Sequence, residues 1–381
     1  MPPDSRHAGP ADAPVPNAAP GALDALIERI RVAARHGTAL CIRGGGTKDF
    51  YGGACTGEPL DVTPLAGVRS YEPSELFVTV GGGTPLAELE ALLAGQGQCL
   101  PFEPPRLGRG GTVGGMVAAG LSGPARASVG SVRDYVLGAT LVNGRGELLT
   151  FGGQVMKNVA GYDVSRVLAG AMGVLGVFAE VSLKVLPVAP AEASLAFECS
   201  QADALRLLNA WGGQPLPLNA SRWQGEGGAG RLHLRLRGAV AAVDAACRHL
   251  GGERLDADAA AAEWAACRDQ TLPFFGPPAA HDLWRVSVPQ TAPALALEAS
   301  PLVEWHGGQR WYALPAGQAA PVRAAARAAG GHATLFRAAD GAREVARFDT
   351  LSAPLQRIHA ALKREFDPHG VFNPGRLYAG F

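Results

Sequence analysis

Residues 43–48 read Arg43-Gly44-Gly45-Gly46-Thr47-Lys48, so three glycines follow a short apolar run and stand between an arginine and a lysine. Successive glycines let neighbouring backbone N–H groups turn into one concavity, which suits an anion. They also admit a ligand against the backbone with no Cβ in the way. Arg43 and Lys48 could balance phosphate charge there. A tight turn between strands uses the same residue type, and one triplet alone fits that use first. The triplet recurs at Gly81-Gly82-Gly83, residues 106–123 (RLGRGGTVGGMVAAGLSG) carry almost no bulk, and Gly170, Gly173 and Gly176 follow. Several bare backbone surfaces in one region point to an extended, phosphate-bearing cofactor laid across it.

Other chemistries lack their residues. There is no G-x-x-x-x-G-K-[ST] phosphate loop and no G-x-S-x-G nucleophile elbow. No two of the nine histidines lie within five residues of each other, so local metal-site spacings are missing. The one G-x-G-x-x-G match, Gly225 to Gly230, lies between two strands and opens no helix; it reads as a hairpin turn. The six cysteines include no local cluster of the iron–sulfur or zinc kind, and they read as reduced, buried thiols. Lys and Arg balance Asp and Glu at 34 each, which leaves no basic excess for nucleic acid. No apolar stretch reaches membrane-span length. The Pro/Ala-rich residues 1–20 lack the marks of a secretory signal and read as a flexible tail. The expectation is a cytoplasmic protein, with a peripheral place on the inner face of the cytoplasmic membrane left open.

The elements that must position the glycines read as α/β. Leu23, Leu26, Ile27 and Ile30 recur at helical spacing over 22–37, which ends at Gly37. TALCIR, PLDVTPL and LFVTV read as strands, and Thr84 reads as N-cap of a helix that starts at Pro85 and ends at Gly95. Asn143-Gly144 marks a hairpin between apolar strands, and GVFAEVSLKVLP is one more strand. The second half reads strand, helix, strand, strand, helix, strand over 193–255, then a helix, AAAAEWAACRD. The order recurs over 283–337, where a poor helix in TAPALALEA contains Pro293. Two βαββαβ-like units would form one wide antiparallel sheet. SAPLQRIHAALKREF is a closing helix. The domains expected are 21–190, a cap at 191–345, and a segment at 346–381 that returns to the first domain.

IRGGGTKDFYGG, the run from Gly110 to Leu149, KNVAGYDVSRVLAGAMGVLGVFAEVSLKVLP and FDPHGVFNPGRLY resemble the vanillyl-alcohol-oxidase/p-cresol-methylhydroxylase (PCMH) type of FAD-binding family. Within it they resemble the FAD-binding subunits of bacterial glycolate oxidase. The resemblance covers 21–190 and 350–381 strongly. It implies an α+β fold: a two-part PCMH-type FAD-binding domain plus the antiparallel cap. It implies that Arg43, Gly44, Gly45, Gly46, Thr47 and Lys48 form the pyrophosphate loop, and that Thr112, Gly114 and Gly115 lie along FAD. Gly123, Arg126, Gly130 and Asp134 would shape the flavin pocket. Val177 and Glu180 would lie near the adenine, and Asn373, Pro374, Gly375 and Arg376 near the flavin ring. Thr47-Lys48 stands where relatives with covalent flavin carry a histidine, so non-covalent FAD is expected.

The resemblance further implies an oxidoreductase acting on CH–OH groups within a complex. A larger FAD-binding catalytic subunit would act on a 2-hydroxy acid, glycolate, and an iron–sulfur subunit would pass electrons to quinone. The alternatives are a stand-alone 2-hydroxy-acid dehydrogenase and an assembly subunit with a vestigial flavin site. Relatives that oxidise 2-hydroxy acids carry a His-x-Gly-Asp-Gly-Asn-x-His run, and this sequence has none. No metal site is expected and no catalytic residue is assigned; His233, His281, His306 and His332 are candidates only as bases. Val129 and Val174 replace a Tyr and a Thr of many relatives. Tyr162 borders the flavin or the helix start, Asp163 fits an N-cap, and Lys157 could pair with phosphate. Trp223, Trp284, Trp305 and Trp311 fit either packing or an interface.

Overall fold

The computed structural model describes residues 21–153, 163–276, 279–339, 345–378 and 381. The expectations for Lys157 and Tyr162 lie outside the described residues. Helix α1 (Ala22–His36) buries Leu26, Ile30 and Ala33 and stops at Gly37, which turns left-handed. It covers a parallel pair, β1 (Leu40–Arg43) with β2 (Glu58–Asp61), to form one small core with Val371 and Phe372. Five antiparallel strands make the second layer: β3 (Val68–Glu72), β4 (Phe77–Gly81), β6 (Val136–Val142), β7 (Leu148–Gly152) and β8 (Val177–Lys184). Their order is β3-β4-β8-β6-β7. Between β4 and β6 the chain adds β5 (Gln98–Cys99), which pairs with β9 (Leu186–Pro187) after β8. Helices α2 (Leu86–Ala94) and α3 (Val113–Ala119) bury Leu89, Leu93, Met116 and Val117 against this sheet.

Two local expectations fail here. Thr84 does not cap α2: its hydroxyl exchanges hydrogen bonds with both backbone groups of Gly67, and Pro85 is the N-cap. The bare run 106–123 is not merely a flat surface, because it contains α3, capped by the Thr112 hydroxyl on Gly115 N. The short helices α4 (Arg126–Val129), α5 (Val132–Tyr135) and α6 (Val164–Leu168) follow, with Asp163 capping α6 as expected.

The second half is one eight-stranded antiparallel sheet. Its first unit is β10 (Ala191–Glu198), α7 (Gln201–Gly212), β11 (Leu218–Glu226), β12 (Ala229–Gly238), α8 (Val240–Leu250) and β13 (Glu253–Arg254). Gly227 and Gly228, both at positive φ, make the expected hairpin turn between β11 and β12. Helix α9 (Ala257–Arg268) leads to the second unit, β14 (His281–Ser287), β15 (Leu302–Glu304), β16 (Gln309–Pro315), α10 (Ala319–Ala328) and β17 (His332–Arg337). The strand order β13-β10-β12-β11-β15-β16-β14-β17 joins the units through their second strands. The second unit lacks its first helix, correcting the expectation for TAPALALEA. Pro293 removes a donor there, and the fully buried Arg310 guanidinium takes the carbonyls of Ala292 and Pro293 that a helix would use.

Helix α11 (Ala353–Phe366) returns the chain to the first half. At its end Lys363 donates to the carbonyls of Val174 and Phe372 and to Asp367, while Asp367 accepts from the backbone of Val371 and Phe372. This buried clamp holds Phe372 in a bridge alongside Leu40 of β1.

Candidate cofactor site

A cavity of about 420 Å³ opens between the β1–β2 layer and the five-stranded sheet. One wall is the loop from Arg43 to Asp49, which leaves β1; the other is α3 with the start of β8. Among the described residues, no acceptor meets the backbone N–H of Gly44, Gly45, Gly46, Thr47 or Lys48. Unpaired main-chain donors in succession are rare unless water or a ligand meets them. Gly46 takes φ 70°, which a side chain would strain. Gly45 serves a second need: a Cβ there would sit 1.6 Å from the carbonyl oxygen of Gly110.

Lys48 supplies charge beside these donors. Among the described residues its ammonium makes one hydrogen bond, to Thr47 Oγ1 at 3.3 Å, and burial lowers its pKa to about 8. Arg43 lines the cavity but is neutralised by Asp49 at 2.7 Å. On the opposite wall Gly114 and Gly115 face the cavity from the first turn of α3, and Gly114 lies so close to Gly82 that a Cβ would meet its carbonyl oxygen at 2.7 Å.

The C-terminal residues frame the cavity more than they reach into it. Asn373 Oδ1 accepts from Ile42 N at 2.7 Å and its Nδ2 donates to Met172 O at 2.7 Å, tying β1 to the loop before β8. Arg376 donates to the carbonyls of Lys48, Asp49 and Gly53 and so fixes the glycine loop from behind. Cys41 and Cys55, both on the lining, form a disulfide. This corrects the expectation of six reduced thiols: the chain between β1 and β2 folds back and brings two cysteines 14 residues apart to a Cα separation of 5.9 Å. Among the four free cysteines only Cys267 is buried.

Of the sequence-predicted residues, Arg43, Gly44, Gly45, Gly46, Thr47, Lys48, Thr112, Gly114, Gly115, Val177, Asn373 and Arg376 line this one cavity. Gly123, Arg126, Gly130 and Asp134 do not. Gly123 and Arg126 lie where the first half meets the cap, and Gly130 and Asp134 follow them in the chain. Gly123 O accepts from the Trp305 indole at 3.0 Å, Arg126 stacks over the Trp305 ring at 4.5 Å, and Asp134 closes a capping box with Ser131 opposite Gly130. Glu180 pairs with Arg69 on the sheet at 2.9 Å. The same seam holds a buried ion pair between Glu103 and Arg235 at 2.6 Å, and His306 between Ser128 and Ser221, each at 3.0 Å. Burial lowers the His306 pKa to about 4. His233 is tied to Arg222 and Glu263 and is also lowered, to about 4, mainly by burial. Trp223, Trp284 and Trp311 are packing residues, all buried.

Gly82, Gly173 and Gly176, noted as bare backbone in the sequence, also lie on the lining, whereas Phe178 and Met172 there carried no sequence signal. Arg285 on β14 was also not singled out; its signal is a charge between Trp284 and Val286, on the opposite strand face from them. No helix among the described residues is long and apolar enough to cross a membrane, and none of their His, Cys, Asp and Glu cluster as a metal site.

A two-layer α+β unit with a bare glycine loop on a cavity, attached to a wide antiparallel cap, is the fold of an FAD-binding oxidoreductase. The "FAD binding domain" family matches residues 17–152. The chain is 46% identical over 355 residues to "Glycolate oxidase subunit GlcE" of Escherichia coli (strain K12), covering 93% of this chain and 97% of that one. It therefore belongs to the family of glycolate oxidase subunit GlcE, a family of flavoproteins whose cofactor is FAD. It is 28% identical over 172 residues to "Glycolate oxidase subunit GlcD" of Bacillus subtilis (strain 168), covering 44% of this chain and 36% of that one. An alkyldihydroxyacetonephosphate synthase structure shares the fold at TM-score 0.63 with 15% identity, covering 92% of this chain and 74% of that one.

Proposed function

We propose that this chain is the FAD-binding subunit of a glycolate oxidase complex that converts glycolate to glyoxylate. A larger FAD-binding subunit and an iron–sulfur subunit complete the complex and carry electrons to the quinone pool. The observation that carries the reading is the run of five unpaired N–H groups beside Lys48, in a chain with end-to-end likeness to GlcE. Gly44, Gly45, Gly46, Thr47 and Lys48 would hold the diphosphate through main-chain donors and one ammonium. Thr112, Gly114, Gly115 and Val177 would flank the cofactor, with Asn373 and Arg376 fixing the wall behind it. No histidine lies in the glycine loop, so FAD is held without a covalent bond. The bound flavin supplies a hydride acceptor. The chain's own part is to bind and orient it, with the buried Lys48 lowering the charge penalty.

The test is to purify the chain alone and with its two companions, then record visible flavin absorbance and glycolate-dependent dye reduction. Flavin in the isolated chain, with dye reduction only in the assembly, is the expected result. Full turnover by the companions without this chain, or full turnover by this chain by itself, overturns the reading as a required subunit.

A further inference from the structure

A second hollow lies at the seam, beside the C-terminal end of α3. Ala118 and Ala119 line the first cavity, and the next residue, Gly120, lines the second. Arg126, Arg285 and His332 converge on it and no carboxylate lines it. Arg126 lies flat on Trp305 and makes no ion pair among the described residues. Among the described residues the Arg285 side chain makes one hydrogen bond, a long one of 3.3 Å to the Tyr51 hydroxyl, and its buried Nε has no partner. Burial first, then the charge of Arg285, holds Arg126 below its ordinary value, with Asp134 acting the other way from outside the lining. A fold that turns two arginines to one cleft with no carboxylate on its lining, and leaves a buried donor without a partner among the described residues, has built half of an anion site.

We infer that this cleft binds a small carboxylate on this chain itself, with Arg126 and Arg285 as its two guanidinium partners. The planar forks match a carboxylate bidentately. Val288, Pro289 and the Trp305 ring give the cleft an apolar wall that suits the carbon end of a small organic acid. The inference deepens the reading above, on which it rests for the identity of the neighbouring cavity, and it gives this subunit a 2-hydroxy-acid site despite the missing histidine-rich run.

The experiment is calorimetric titration of the FAD-loaded chain, without an electron acceptor, using glycolate, acetate and inorganic phosphate at matched ionic strength. The wild type is expected to bind glycolate saturably and phosphate at least about tenfold more weakly. Arg126→Met and Arg285→Met are each expected to weaken glycolate by about tenfold or more, and Arg126→Lys and Arg285→Lys by less. Flavin absorbance per chain is recorded alongside and reports that each variant is folded; neither arginine lines the glycine-loop cavity. Absence of saturable carboxylate binding, unchanged affinity in both methionine variants, or phosphate binding as tight as glycolate overturns the inference. Retained carboxylate binding in a chain that never takes up FAD would instead sink the flavin reading and leave this one standing.

Discussion

The two glycine triplets are identical in sequence and opposite in use. In Gly81-Gly82-Gly83 every N–H is spent, on the carbonyls of Gly67, Ala179 and Leu65. A Cβ on any of the three would lie 2.0–2.2 Å from a backbone oxygen, of Leu65, Phe178 or Val62. These glycines exist so that β4 can leave the sheet while strands press against it. In Gly44-Gly45-Gly46 no N–H is spent within the described chain, and the loop lies on a cavity. A glycine run is therefore a statement about close approach, and the hydrogen-bond partners decide whether the approach is by the protein or by a ligand.

The sharpest way to break this contrast is Gly82→Val. It drives a branched side chain into the Phe178 carbonyl and should cost on the order of 4 kcal/mol or more, read as lost soluble protein or a collapsed urea midpoint. Lys48→Met should do the reverse. It should leave the urea midpoint of FAD-free protein nearly unchanged and weaken FAD by about 10- to 100-fold, measured by fluorescence titration. A pH series sharpens the same point. Because burial lowers Lys48 to about 8, FAD affinity should fall as pH rises above that value, and the slope should vanish in Lys48→Met. The sign for folding is opposite: the unfolded chain holds that proton to higher pH, so FAD-free protein gains stability from Lys48 as pH climbs past about 8. The smallest effect belongs to Gly46→Ala. Its φ of 70° strains alanine, but a new methyl meets only the mobile end of Arg43, so about 1 kcal/mol is expected in thermal melts.

The nest was legible because its signal is the absence of side chains in consecutive positions. The cap was legible through alternation, strongly enough that both units and their single sheet could be drawn. What could not be read needed three dimensions. Gly123, Arg126, Gly130 and Asp134 follow α3 closely in sequence yet lie off the glycine-loop cavity; the chain turns at Gly120, φ 65°, and brings Gly123 and Arg126 to Trp305 of the cap. Cys41 and Cys55 meet only because the β1–β2 connection doubles back. The Lys363–Asp367 clamp looks like an ordinary surface pair four residues apart on a helix until Phe372 and Val174 enclose it.

Asn373 carries a temporal consequence. It joins Ile42 across 331 residues of chain and ties β1 to the loop at Met172. A ribosome must therefore finish nearly the entire polypeptide before the hollow has all its walls. The hollow is thus completed only after synthesis, and a chain cut before Asn373 lacks the tie between two of its walls.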